Sequence, residues 1–215
     1  MSDVQQTVED VVALARDHAR AQIRTGFWSY DEVLESTVRL AMDEVDDADL
    51  SLAEGTVERV VQQEWAARLT EQADWEDEGD FARLAAAFEE LERKGVVARM
   101  NFTCCQTCGH AEILEEVPAA VVDAGGGAAA PGGAAGPWAY TFFHQQDADD
   151  LGDAGSRLHL AFGAFGDVAV VEKEVAAGRE VVDTLARHGF DVDWDGTNRQ
   201  RPAVAIREWR KRLPV

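Results

Sequence analysis

The apolar residues of this chain change their spacing at Gly95, and this change constrains the fold more than any other feature. Before Gly95, apolar side chains recur with the period of amphipathic helices. Ser29 followed by Glu32 has the pattern of a capping box, and Asp80 is placed to cap the last helix of this part. The pattern predicts an acidic helical region over residues 1–95.

After Gly95, short stretches rich in β-branched and aromatic residues alternate with two helical stretches. The predicted strands cover residues 96–103, 138–144, 158–162, 190–194 and 203–206, and the predicted helices cover 108–116 and 168–188. This order matches the split βαβ pattern of ferredoxin-like folds. We therefore predict an α+β fold, with the helical N-terminal part followed by a ferredoxin-like two-layer α/β sandwich and an extra C-terminal strand. The sandwich domain covers residues 96–215, and its Gly/Ala/Pro-rich residues 117–137 are predicted to form a flexible loop.

The charge balance limits the partners that this chain can attract. It has 41 acidic residues against 20 lysines and arginines, a formal net charge of −21. A field of that sign repels phosphate backbones and anionic lipid surfaces, so we expect neither nucleic-acid nor membrane binding. It attracts cations, and a basic protein partner is the macromolecule that it favours.

The sequence shows neither a secretion signal at its start nor a membrane-spanning stretch. The first residues, MSDVQQTVEDVV, carry acids and lack the apolar core of a signal peptide. No stretch of about 18 apolar residues is free of charges. Together with three thiols, these features predict a cytoplasmic protein in a reducing compartment.

Several segments together resemble a known family. The segments are WEDEGDFARLAAAFEELERKGVVA, YTFFHQQD, LHLAFG, VDWDGT and REWRKR. They are similar to a family of uncharacterised bacterial proteins classed as a domain of unknown function, over residues 75–210. The resemblance implies a fold unit and no activity, and the stretch from Pro118 to Pro137 resembles an insertion specific to this chain.

All three cysteines lie in the segment NFTCCQTCGH. Cys105 and Cys108 have the spacing of a zinc knuckle, and Cys104 and His110 are the candidates for further ligands. The same spacing also serves thiol–disulfide couples, although the flanking residues of a thioredoxin-type pair are missing. A third interpretation is three ordinary reduced thiols at a turn, and the spacing leaves all three open.

Two other stretches carry residues that could form a ligand pocket. His144 with Asp147 has the residue types of an acid–base pair, but a hydrogen-bonded structural histidine is the favoured interpretation. Trp194 could form the apolar wall of a pocket beside Asp195, but the Asp-Gly pair favours a turn.

No catalytic signature is present, so the sequence favours a non-enzymatic binding or interaction protein. The alternative is a small zinc-binding or thiol-redox protein centred on the cysteines. In a ferredoxin-like order, the strand that ends at His144 runs antiparallel to the strand before the cysteines. We therefore expect His144 to lie more than about 8 Å from the Cys108 sulfur, well beyond zinc–ligand bonds of about 2.0–2.3 Å.

Overall fold

The computed structural model describes residues 3–43, 50–117, 136–153, 155–166 and 171–214. The chain forms two compact units, one of Met1–Glu78 with Trp209–Val215 and the other of Gly79–Glu208. Within the described residues, no helix is both long enough and apolar enough to cross a membrane. The loop predicted over residues 117–137 lies outside the described part of the chain, apart from its ends.

The first unit is built from three helices, whose bounds are α1 Asp3–Thr25, α2 Tyr30–Met42 and α3 Leu50–Ala73. The capping box at Ser29 is confirmed, because its side chain accepts from the Glu32 amide while the Glu32 carboxylate accepts from the Ser29 amide. The apolar faces of the helices meet in a core that contains Val11, Ala15, Ala19, Ile23, Val33, Ala41, Val57, Val60, Val61 and Leu213.

The last residues of the chain complete this helical unit. The Trp209 indole is buried and donates from Nε1 to the Thr25 carbonyl oxygen at 2.9 Å. The Arg212 guanidinium donates to the carbonyl oxygen of Gln72, in the last turn of α3, at 2.7 Å. These bonds satisfy carbonyl groups that the helix termini leave without intrahelical partners.

The second unit alternates helices and strands. Their bounds are α4 Asp80–Arg93, β1 Val96–Arg99, α5 Gln106–Glu112, β2 Ala139–Phe142, α6 Gln145–Ala148, β3 Arg157–His159, β4 Ala161–Ala164, α7 Val171–Arg187, β5 Val192–Asp193 and β6 Ala203–Ala205. One sheet has the order β1-β2-β4 and the other the order β3-β6-β5. The α+β class and the helical N-terminal part are thus confirmed.

The arrangement of the strands differs from the ferredoxin-like order. Strands β1 and β2 are parallel neighbours, and β2 pairs with β4 antiparallel. The stretch predicted as one strand over residues 158–162 is two strands in different sheets, which meet at the buried Leu160. The hydrophobic alternation of that stretch is the same for one strand or two, so the sequence does not show the change of sheet.

The units divide the chain at residue 79 instead of the predicted residue 95. Helix α4 buries Leu84, Phe88 and Leu91, and it packs against β1 and α7. The helix therefore belongs with the sheets, although its periodicity is the same as that of the helices before it.

The parallel pairing of β1 and β2 places the segments that follow them at the same edge of the sheet. The Phe102 amide donates to the Phe143 carbonyl oxygen at 2.8 Å, and the Gln145 amide donates to the Thr103 carbonyl oxygen at 3.1 Å. The cysteine segment and the segment after His144 therefore run side by side.

Candidate functional site

The three cysteines form a cluster at this edge, just before and inside the short helix α5. The sulfurs of Cys104, Cys105 and Cys108 all lie within 4.8 Å of one another. All three are free thiols, and Cys104 is exposed. Side chains of neighbouring residues usually project apart, but here the sulfurs of Cys104 and Cys105 lie together with that of Cys108.

The backbone before the cluster explains this convergence. Asn101 has φ 50° and Thr103 has φ 58°, the left-handed region that β-branched residues rarely adopt. Such a conformation costs on the order of 1–3 kcal/mol and persists only when neighbouring contacts hold it. Here the Thr103 carbonyl oxygen is held by the Gln145 amide, and its hydroxyl donates to the Cys105 carbonyl oxygen at 3.2 Å.

The thiols of the cluster differ in acidity. The Cys108 backbone N–H and side chain donate to the Cys105 sulfur and lower the pKa of Cys105. Side-chain hydrogen bonds with Cys104 and Cys105 raise the pKa of Cys108 to about 11. The contacts within the cluster therefore shift the pKa values of Cys105 and Cys108 in opposite directions.

His110 lies outside the cysteine group. Its Nδ1 atom is 3.0 Å from the Tyr140 hydroxyl oxygen, and its Nε2 atom is 3.3 Å from the Gln106 side-chain nitrogen. Burial, with a smaller contribution from Arg201, lowers the pKa of His110. Burial also raises the pKa of Tyr140 to about 12, so both groups are neutral near pH 7.

His144 and Asp147 form a buried cluster with Arg201. The sequence analysis identified the first two residues but not Arg201. The His144 Nδ1 atom accepts from the Asp147 backbone N–H at 3.2 Å, and its Nε2 atom lies 3.0 Å from the Asp147 carboxylate and 3.4 Å from Arg201 Nη1. Arg201 donates to both Asp147 oxygens, at 2.9 and 3.0 Å. Burial lowers the pKa of His144, and the opposing effects of Asp147 and Arg201 modify that shift. Both nitrogens of the ring are therefore engaged within the protein.

Trp194 and Asp195 lie in the loop between β5 and β6. The Asp195 carboxylate accepts from the Thr197 amide and hydroxyl, each at 2.8 Å, and Gly196 has φ 80°, which confirms the predicted turn. The Trp194 ring meets the Phe162 ring edge to face, with their centroids 5.8 Å apart. Trp194 thus packs against Phe162.

Phe162 belongs to a cavity of about 370 Å³. The cavity is lined by side chains from five elements of the second unit, namely Gln106, His110, Tyr140, Ala161, Phe162, Glu174, Asn198, Arg199 and Arg201. Among the described residues, the exposed Arg199 guanidinium forms no ion pair with an acidic side chain. The Glu174 carboxylate, which also lines the cavity, accepts from the Asn198 side-chain amide at 2.6 Å. The cavity therefore presents a cation, an anion and an aromatic face.

Gly163 makes room for the phenol of Tyr140 in this cavity. A Cβ atom at Gly163 would lie 2.3 Å from the Tyr140 hydroxyl oxygen, closer than two such atoms can approach. The missing side chain therefore lets the hydroxyl reach the His110 ring.

One family model matches the chain over residues 8–213, and its description is Domain of unknown function (DUF6891). The chain belongs to this family. The match extends the resemblance found over residues 75–210 to nearly all of both units. No curated protein and no solved structure matches the chain.

In this DUF6891 domain, the predicted pocket residues reach the cavity only indirectly. His144 and Asp147 contact Arg201, Trp194 contacts Phe162, and Asp195 holds its own turn. The spacing of Gln106 and His110, four residues apart on one helix, is a local signal that could have placed both on one face. No local signal marks Arg201, whose partner Asp147 lies 54 residues earlier.

Proposed function

We propose that this DUF6891 domain is a non-enzymatic, cytoplasmic binding protein whose polar cavity takes a small zwitterion of the free amino acid class. The observation that carries the proposal is that Arg199 and Glu174 both line one cavity of about 370 Å³. A ligand carboxylate would bind the Arg199 guanidinium, and a ligand ammonium would bind the Glu174 carboxylate. The Phe162 ring supplies an apolar wall for the rest of the molecule.

The net charge of the chain favours a zwitterion over a simple anion. A charge of −21 repels a free carboxylate or phosphate at long range, whereas a ligand of zero net charge approaches without that cost. Within the cavity, the Arg201 charge is offset by the Asp147 carboxylate, which leaves Arg199 to bind an anionic group.

The positions of the histidines support binding and not catalysis. His144 has both ring nitrogens in contacts with Asp147, and His110 has both in contacts with Tyr140 and Gln106. A general base needs a nitrogen within reach of the substrate proton. The thiols, which are free, are consistent with a reducing cytoplasm.

Each standard amino acid should be tested for its effect on the unfolding temperature, followed by calorimetry on any that raise it. A ligand at 100 times its Kd stabilises the folded state by about 2.7 kcal/mol, which is readily measured. We expect Arg199→Gln or Glu174→Gln to weaken binding by about 10- to 100-fold, the loss of one charge-assisted hydrogen bond. Arg179→Gln, an exposed change outside the cavity, is the matched control and should leave Kd unchanged. No stabilising amino acid, or equal effects of Arg199→Gln and Arg179→Gln, would contradict the proposal.

A groove on the helical unit favours a second function, the binding of a basic protein partner. The groove has a volume of about 360 Å³, and Leu34 and Val38 contribute its apolar surface. Its other lining residues are all acidic, namely Asp31, Glu35, Glu54 and Glu58. An amphipathic helix with lysines beside its apolar stripe is complementary to such a groove.

The probe for this groove is a synthetic amphipathic helix with lysines beside a stripe of leucines. Its binding is measured by fluorescence anisotropy. We expect the peptide to bind less tightly as the salt concentration rises. The double variant Glu54→Gln with Glu58→Gln should lower the affinity for the peptide by about 10-fold. The control, Glu9→Gln with Asp74→Asn, removes the same charge from exposed sites outside the groove. If both double variants weaken binding equally, the attraction is only general charge and the groove is not a site.

A further inference from the structure

We propose that Cys104, Cys105 and Cys108 together bind one zinc ion through three thiolates and leave its fourth coordination position open. This site is separate from the proposed amino acid site, because none of the three cysteines lines the cavity. It also does not depend on that function, so either proposal can fail without the other.

The distances between the sulfurs fit a single metal ion. Zinc–sulfur bonds are about 2.3 Å long, so two sulfurs on one tetrahedral zinc lie about 3.8 Å apart. The three sulfurs of the cluster are already within 4.8 Å of one another. The sulfur separations are therefore within about 1 Å of those that a tetrahedral zinc requires.

Hydrogen bonds of the backbone hold the segment that carries the cluster. The Phe102 and Gln145 amides tie the segment to the residues that follow β2, and the Thr103 hydroxyl bonds to the Cys105 carbonyl oxygen. A site whose ligands are already gathered loses less conformational entropy on binding than one that must assemble.

The donor set selects the class of metal. Thiolates favour soft or borderline cations such as Zn²⁺, whereas Mg²⁺ and Ca²⁺ require oxygen ligands. Among the described residues, the metal-binding group contains these three cysteines and no carboxylate or histidine. His110, the fourth ligand expected from the sequence, is held by Tyr140 instead. Three protein ligands with one open position is the arrangement that lets a zinc ion take a water molecule or an external ligand.

Zinc binding replaces thiol protons by bonds to the metal. Each thiol that becomes a zinc-bound thiolate releases one proton to the buffer, and the oxidation states of zinc and sulfur do not change. Calorimetry in two buffers of different ionisation enthalpy measures this release. We expect a net release of protons on zinc binding near pH 7, because the zinc-bound sulfurs are thiolates.

The main test is a zinc titration of the reduced, chelator-stripped full chain in competition with a chromophoric chelator. We expect one zinc per chain. Each of the variants Cys104→Ser, Cys105→Ser and Cys108→Ser should lose more than about 100-fold in zinc affinity. Loss of an outer-shell partner alone costs about 10- to 100-fold, and these variants remove a ligand itself. Thr107→Ala, an exposed change between the ligands, and His110→Asn should both keep the wild-type affinity. Cys104 is exposed, so Cys104→Ser leaves the core intact and keeps the test interpretable.

Cobalt substitution tests the open position. The Co²⁺ form should show thiolate charge-transfer absorption that falls in each serine variant, and added imidazole should shift its visible spectrum without releasing the metal. The proposal is overturned by zinc affinity that the cysteine variants do not change, or by no measurable binding. One zinc per two chains, or loss of zinc in His110→Asn, would show that the fourth position is filled by protein and would overturn the open site.

Discussion

Asp147→Ala is expected to lower the free energy of unfolding by about 3 kcal/mol, because it breaks a buried charge cluster and removes a cap at once. The Asp147 side chain is only 5% exposed, and it binds Arg201 through both oxygens. Breaking a buried pair costs about 3–5 kcal/mol, but Arg201 is 28% exposed and water relieves part of this cost. Loss of the carboxylate that accepts from the His144 amide, the reciprocal half of the α6 capping box, adds about 1 kcal/mol.

Urea denaturation at pH 7 measures this loss, and Asp150→Ala is its matched control. Asp150 is an exposed acid three residues further on, where a substitution is expected to change stability by no more than about 0.5 kcal/mol. Equal midpoints for the two variants would show that the cluster with His144 and Arg201 does not stabilise the fold.

The same cluster shows how far the sequence can be read. Ser29 and Glu32 were predicted correctly as a capping box because both partners lie within one turn of one helix. His144 and Asp147 are also three residues apart, but their partner Arg201 lies in another loop. Spacing along the chain predicts contacts within a turn, whereas contacts across the sheet depend on the pairing of strands.

The predicted direction of the two strands that precede Cys104 and His144 was wrong. The antiparallel order expected for the strands before Cys104 and His144 would have put the two segments at opposite edges. Their parallel pairing places both at one edge, where Thr103 and Gln145 share a hydrogen bond. Even so, His144 is not part of the group formed by the three sulfurs. Apolar alternation alone does not distinguish parallel from antiparallel strands, but the helix predicted between these two strands favours the parallel pairing that the structure shows.

Asp80 illustrates the same limit, and it leads to the second large effect. Aspartate at the start of a helix predicts a cap, but the N-cap of α4 is Gly79, with no side-chain hydrogen bond. The Asp80 carboxylate instead accepts from the Arg207 amide at 2.6 Å and the Glu208 amide at 2.9 Å, and it pairs with Arg83. Asp80 therefore joins two segments that are 127 residues apart.

Asp80→Ala is expected to lower the free energy of unfolding by about 3 kcal/mol at pH 7. The variant leaves the two backbone N–H groups and the Arg83 guanidinium without their acceptor, and each unsatisfied group costs about 1–3 kcal/mol if it stays out of water. Arg83 keeps its hydrogen bonds to the His188 and Gly189 carbonyl oxygens, so most of the loss comes from the amides of Arg207 and Glu208. Glu89→Ala, on the exposed face of the same helix, is the control and should change stability by less than about 0.5 kcal/mol.

The loss caused by Asp80→Ala should depend on pH in a defined direction. Burial raises the pKa of Asp80, but the amides of Glu208 and Arg207 together with Arg83 outweigh it, so the pKa in the folded state is lowered. A lowered pKa contributes stability that is fully present above the unfolded-state value of about 3.9 and is lost as pH falls through the folded-state value. Urea midpoints measured from pH 7 down to pH 3 should therefore show a constant gap between wild type and Asp80→Ala above about pH 5, and a narrowing gap below about pH 4. A gap that stays constant to pH 3 would mean that the amides are satisfied equally well by the protonated acid, and that the charge of Asp80 contributes nothing.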